Sequence, residues 1–261
     1  MILFNVNGKQ YKLIESWSEM TIEKASTINE VIEKEMPVAL NDYYKLLSIR
    51  DDNDREKELD EWFKVVDDKA LVKTFPDFYG KLIALFTDIP SELVQNIYHN
   101  ERTTFFKTYI EKFVIGLIYG PIDYIDSRRI SFEFNGIEYF LPITKNILGA
   151  DRPFHDRKAI EFTEAADLEL FSKDMAGGKL AVAANIISIL CRPHVNKEVE
   201  PYNEEVCLKR AEEFKQLGMD ICFDVFFCLN EHIITSRQTS LILRLNQLLK
   251  DQTKEMVLIR E

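Results

Sequence analysis

The chain lacks the short patterns that announce most enzyme classes. No HExxH occurs in its 261 residues, and His99, His155, His194 and His232 lie far apart, so no helix face offers two imidazoles to a metal. GxSxG is absent, which removes the nucleophile elbow of a hydrolase. GxxxxGK and GxGxxG are absent too, so no loop is built to wrap a phosphate in backbone amides. The only Gly-Gly pair, Gly177-Gly178, opens a helix and reads as a flexible turn. Cysteine is scarce: Cys191, Cys207, Cys222 and Cys228 sit on apolar segments with no CxxC spacing, which excludes a zinc ribbon or a dithiol redox centre. They are expected to be small core hydrophobes in a reducing compartment.

Long apolar runs are missing as well. The longest, from Phe113 to Ile122, is about half of the roughly 20 residues a membrane-spanning helix needs. Lys107, Glu111 and Lys112 precede it and are expected on the same helix, so a core segment and no membrane span is expected. The apolar start at Met1 to Phe4 is broken at once by Asn5, Asn7 and Lys9, so no secretory signal is expected. Positive charge is in deficit: 33 Lys and Arg face 44 Asp and Glu, a formal charge of -11 and a pI near 5.0. Such a surface repels phosphates, which argues against nucleic acid as the main partner.

Much of the acidity lies in one run, Asp51, Asp52, Asp54, Glu56, Glu58, Asp60 and Glu61. Its plain reading is a solvated helix face, and its sharper reading is a site for a basic partner.

What the sequence does contain is a repeated pattern. ILFNVNGKQYKLI runs from Ile2 to Ile14, and ISFEFNGIEYFLP from Ile130 to Pro142. Asn-Gly between alternating runs signals a hairpin, because both residues tolerate the positive φ of a type I′ turn. A two-residue turn sets the register, pairing Val6 with Lys9, Phe4 with Tyr11 and Ile2 with Leu13. In the second copy Phe134 pairs with Ile137, Phe132 with Tyr139 and Ile130 with Leu141. Each ribbon then has one apolar face that needs a helix to cover it. MTIEKASTINEVI, from Met20 to Ile32, and IEFTEAADLELF, from Ile160 to Phe171, supply those helices, matching Ala25 with Ala165 and Ile28 with Leu168.

The expected fold is α+β and predominantly helical, with two diverged β-hairpin-plus-helices modules produced by internal duplication. Module 1 spans residues 1–126 and carries an acidic helical insertion at about 41–77. Module 2 spans 127–261 and carries an inserted loop at about 147–158; the two either stand apart or form one pseudo-symmetric domain. KLIALFTDIP and ANIISILCRP are further apolar helices ending before Pro90 and Pro193. Residues 203–217 read as a helix with a Cys207, Ala211, Phe214 stripe that stops at Gly218 as a C-cap. Residues 219–229 are apolar nearly all round and should be buried. SLILRLNQLLK, from Ser240 to Lys250, is an amphipathic docking helix, for the core in preference to a partner. Trp17 reads as a packing anchor, with Thr21 or Ser18 as the N-cap of the helix that follows.

Candidate chemistry is thin. Pro76-Asp77 with Glu213, Phe214 and Lys215 resembles a nuclease set only by residue type, since the two groups lie on different helices of different modules. His155 with Asp156 is an acid/base pair in composition, but an exposed polar loop is the better account, since loops are mostly hydrophilic connectors. No residue is therefore assigned a catalytic, cofactor-binding or metal-ligating role, and no cofactor is expected.

The order of these segments carries a resemblance. FNVNGKQYKLIESWSEMT, a long acidic helical stretch, FYGKLIALFTDIPSELVQNI, the second hairpin FNGIEYFLP and YNEEVCLKRAEEF follow one another across nearly the whole chain. In this it resembles proteins encoded among the virion and tail genes of crAss-like tailed bacteriophages that infect Bacteroides. The resemblance implies a non-enzymatic virion component, ejected cargo protein or assembly chaperone, located in the virion or in the host cytoplasm during assembly. Implied partners are other phage virion proteins, whether tail, portal-proximal or capsid-associated, or the chain itself. That family has no established catalytic residues, so none carries over. The loop from Asp151 to Lys158 departs from the compact form of the second module. A host-directed regulatory or anti-defence binder is the alternative.

Overall fold

The computed structural model describes residues 3–6, 8–49, 51–120, 129–141, 143–145, 151–153, 165, 178–195 and 198–226. The protein is mostly helical, with small two-stranded antiparallel sheets.

β1 (Leu3–Val6) pairs with β2 (Lys9–Lys12) in the expected register, Phe4 opposite Tyr11 and Val6 opposite Lys9. β3 (Ser131–Phe134) pairs with β4 (Ile137–Phe140) in the same manner, Phe132 opposite Tyr139. Asn135 and Gly136 both have positive φ, 51° and 74°, as a type I′ turn demands. Tyr11, Leu13, Phe132, Tyr139 and Leu141 are buried, but Ile130 and Ile137 are 60% and 46% exposed. The second ribbon's apolar face is thus only partly covered, because the ring of Phe214 packs on Phe132, Phe134 and Tyr139 along its middle.

α1 (Ile22–Glu35) begins at Thr21, whose Oγ1 accepts from the Lys24 amide at 3.2 Å, so Thr21 and not Ser18 is the N-cap. Its buried face is Ile22, Ala25, Ile28 and Ile32, one stripe of a 3.6-residue period. α2 (Val38–Leu47) and α3 (Asp52–Val65) follow as an antiparallel pair. A single π turn at Ala70–Thr74 leads into α4 (Phe75–Thr87), which is apolar on most sides and ends at Asp88 in the left-handed region. α5 (Ser91–Gln95), α6 (His99–Tyr109) and α7 (Glu111–Tyr119) complete the first half.

The apolar segment from Phe113 is core, yet Lys107 is not on its helix. The chain turns at Ile110, φ -111°, leaving Lys107 on α6 while Glu111 and Lys112 start α7. No proline or glycine announces the break; burial of Ile110 itself accompanies it.

In the second half, β5 (Ile143–Lys145) pairs with β6 (Asp151–Pro153), so residues 151–153 of the expected 147–158 loop are a strand. Strand pairing satisfies backbone groups that a free loop would leave to water. α8 (Gly178–Ala181) and α9 (Ala183–Leu190) precede a two-residue ladder of β7 (His194–Val195) with β8 (Glu198–Val199). The Phe140 amide donates to the Arg192 carbonyl at 3.3 Å, which occupies part of the β4 edge. α10 (Glu204–Phe214) is capped by Asn203 and buries Cys207, Ala211 and Phe214. α11 covers residues 219–226, with Met219, Cys222, Asp224 and Val225 buried and Phe223 partly so. Of the segment 160–171 only Ala165 is described, helical and fully buried. The segment 240–250 lies outside the described residues.

Residues 17–23 and 215–219 cross and hold the halves together. The Ile22 and Glu23 amides donate to the carbonyls of Leu217 and Lys215 at 2.9 Å, and the Met219 amide lies 2.8 Å from the carbonyls of Trp17 and Met20. The N-terminus of α1 thereby meets the C-terminal end of α10, so orphan donors satisfy orphan acceptors and opposite dipole ends meet. Gly218 is required here for a different reason from the one its sequence context suggests. It takes no left-handed φ. A Cβ on it would lie 2.8 Å from the Ser18 carbonyl oxygen. Nearby, Trp17 stands edge-on to Phe113 and Phe223, each at 4.9 Å, as a packing anchor joining α7 to α11. Buried residues of both halves form one contiguous cluster.

Candidate protein-interaction surface

The acidic run forms α3, and none of its residues is buried. Asp51 caps the helix, its Oδ1 accepting from the amides of Asn53 and Asp54 at 3.0 Å, and acidic residues in the first turn suit the positive end of the helix dipole. The helix is tied down by Trp62 toward its C-terminal end and by Arg55 toward its start. Trp62 packs at 5.1 Å on Tyr43 of α2 and at 6.3 Å on Phe75 of α4. The Arg55 guanidinium donates to the Ile49 carbonyl at 3.1 Å, closing the α2–α3 turn.

Between these helices runs an open groove of about 500 Å³. Asp42, Lys45, Leu46 and Ile49 line it from α2 and the turn after it, and Glu58, Glu61, Trp62 and Val65 from α3. Both sets follow i, i+3, i+4, i+7, so each helix presents a single stripe along roughly 10 Å of its axis. Each stripe is charged in its N-terminal half and apolar in its C-terminal half, with three carboxylates against one lysine. Val65, 82% exposed, finishes the apolar line. Sequence periodicity misses this groove because it lies between two helices and belongs to neither alone. The available signal was Trp62 and Val65 on one face of an otherwise charged helix.

Close to the tyrosines of α2 lies a half-buried carboxyl. Glu111 packs near Tyr43, Tyr44 and Tyr79, and its Oε1 finds no hydrogen-bond partner among the described residues. Burial pushes the Glu111 pKa up, with the Lys107 ammonium opposing the shift. Burial, with the Glu111 charge adding to it, pushes Tyr43 to about 12. Because the fold raises the Glu111 pKa, its contribution to stability is fully present below the ordinary carboxylate range and is lost as pH rises through the folded-state value. Glu111→Gln should therefore raise stability near pH 7 by on the order of 1 kcal/mol, with the gap closing toward pH 4. Urea midpoints at the two pH values check this; an equal gap at both would show that charge is not the cause.

The residues singled out for chemistry are not brought together. Asp77 faces Arg102 at 3.4 Å and His99 at 3.7 Å, while Glu213 contacts Asn135 and Lys215 pairs with Glu212. His194 stacks on Phe140, and His99 Nδ1 lies 3.0 Å from the Val72 carbonyl. His155, Asp156 and His232 lie outside the described residues, as does Cys228. Gly178 sits beside the Glu33 carboxylate, which a phosphate would avoid. Cys191, Cys207 and Cys222 are buried, and burial raises the thiol pKa of Cys207 and Cys222, so these two stay protonated. Among the described residues no group of three or more His, Cys, Asp or Glu is placed to hold a metal ion, and no helix is long and apolar enough to cross a membrane.

The described residues define a mostly helical α+β protein with an acidic two-helix groove. No known protein family, curated protein or solved structure matches the chain.

Proposed function

We propose that this chain is a non-enzymatic protein that acts through contacts with other proteins, as a virion component, ejected cargo or assembly protein of a crAss-like tailed bacteriophage. The observation that carries the protein-contact reading is the α2–α3 groove, where an apolar seam is left open beside carboxylates. The phage assignment rests on the order of sequence segments described above. Its partners are tail, portal-proximal or capsid-associated proteins, or further copies of the chain, and nucleic acid is disfavoured by the charge of -11. The hairpins are read as diverged copies of one unit, residues 1–126 and 127–261 being its two occurrences. Equal registers and the paired Phe-Tyr rungs support that reading.

Quantitative mass spectrometry of gradient-purified particles, beside the lysate they came from, tests the assignment. The protein should copurify at a fixed ratio to the major capsid protein if it is structural or cargo. Abundance in lysate with absence from particles would redirect the reading to an assembly chaperone or a host-directed binder.

A further inference from the structure

We infer that the α2–α3 groove is the seat of a basic amphipathic helix supplied by another protein, which docks as the third helix of a bundle. This rests on the reading that the chain works through protein contacts, and it names the chemistry of the partner. Two antiparallel helices with matching i, i+3, i+4, i+7 stripes form two sides of a three-helix seam, and the third side is open. Leu46, Ile49, Trp62 and Val65 are its apolar lining, Val65 being 82% exposed. A helix that fits must present apolar anchors over about two turns, at i, i+3 or i+4, and i+7.

The rim decides the charge. Asp42, Glu58 and Glu61 outnumber Lys45, so lysine or arginine flanking the anchors is attracted, and anionic nucleic acid or lipid headgroups are repelled. A second copy is disfavoured for the same reason, since each copy carries a charge of -11. Solubility alone does not explain the arrangement. Glu56 and Asp60, on the opposite face of α3, already solvate the helix, whereas a valine 82% exposed beside a tryptophan has no solvating role.

The test uses the full chain and a fluorescent peptide of about 14 residues, built of leucine at i, i+3, i+4, i+7 and lysine elsewhere, long enough to fold as a helix on contact. Binding is read by anisotropy. The wild type should bind saturably at one site. Glu58→Lys with Glu61→Lys, and separately Val65→Asp, should each weaken it by about tenfold or more. Glu56→Lys with Asp60→Lys, an equal charge change on the far face, should weaken it by less than about threefold. These side chains are exposed, and circular dichroism verifies that the variants keep their helix content.

Equal losses from the two double reversals would overturn the assignment in favour of a diffuse acidic field. An unaffected Val65→Asp, or equal binding of a peptide with glutamate for lysine, would overturn it too. Sedimentation showing a dimer that Val65→Asp dissolves would give the groove to a second copy and overturn a foreign partner. A failed peptide with intact particle incorporation removes the groove assignment and leaves the virion reading standing; the converse result removes the virion reading alone.

Discussion

Gly218→Ala is expected to lower stability by about 2–3 kcal/mol, the upper end of the usual cost of overpacking. The added methyl would lie 2.5 Å from Asp220 Oδ1, 2.8 Å from the Ser18 carbonyl oxygen and 2.9 Å from Ser18 Cα. The carboxylate can swing aside, although it then loosens its 2.8 Å contact with Arg129. The Ser18 backbone has no such freedom. It is flanked by the Met219 bonds to Trp17 and Met20, and Thr21 bridges to Gly218 itself. Relief of the clash must therefore part the two segments, and with them the junction of α1 and α10. Urea unfolding followed by circular dichroism measures the effect. Gly136→Ala, at a turn with nothing within 4 Å, supplies the comparison, since its cost is confined to a φ of 74°. An unchanged midpoint for Gly218→Ala would mean that residues 17–23 and 215–219 do not cross as described.

Phe214→Ala is expected to be more damaging, about 3–5 kcal/mol, because a fully buried aromatic is removed and the cavity left behind cannot collapse. The ring meets Tyr139 at 5.0 Å, Phe134 at 5.6 Å and Phe132 at 5.9 Å, mostly edge to face. It ties the second hairpin to α10, alongside Arg210 over the Tyr139 ring and Glu213 near Asn135. A two-stranded ribbon is marginal in water without such cover. Hydrogen exchange should then show β3 and β4 losing protection first, while α4 and α6, joined by the stacked Tyr79–Phe106 pair at 4.1 Å, keep theirs. Phe214→Leu should recover part of the loss. Uniform loss of protection across both halves would instead mean that the molecule unfolds as one unit. Since small proteins have total stabilities of about 5–15 kcal/mol, either substitution consumes a substantial share.

These two residues also mark where the sequence was legible. Phe214 was readable: its spacing from Cys207 and Ala211 places it on the buried stripe of α10, and it is buried. Gly218 was misleading. A glycine after a helical pattern reads as a left-handed cap, yet here it makes room for a chain segment far away in sequence. The break at Ile110 was invisible for a related reason, because no local breaker sits there. Ile130 and Ile137 lie on the expected face of their ribbon but stay exposed, since alternation says which way a side chain points and not whether anything covers it.

The groove follows the same division. The capping Asp51, the charge of α3 and the turn after α2 are local matters, set by neighbours a few residues apart, and so are the two Asn-Gly hairpins, the register each imposes and the apolar stripes of α1, α4 and α10. Which face of α3 meets α2, that Val65 is left bare beside Trp62, and that α1 starts on the carbonyls closing α10 are decided by contacts between distant segments. Those contacts depend on how helix faces dock against one another, and that geometry exists only once the chain has packed.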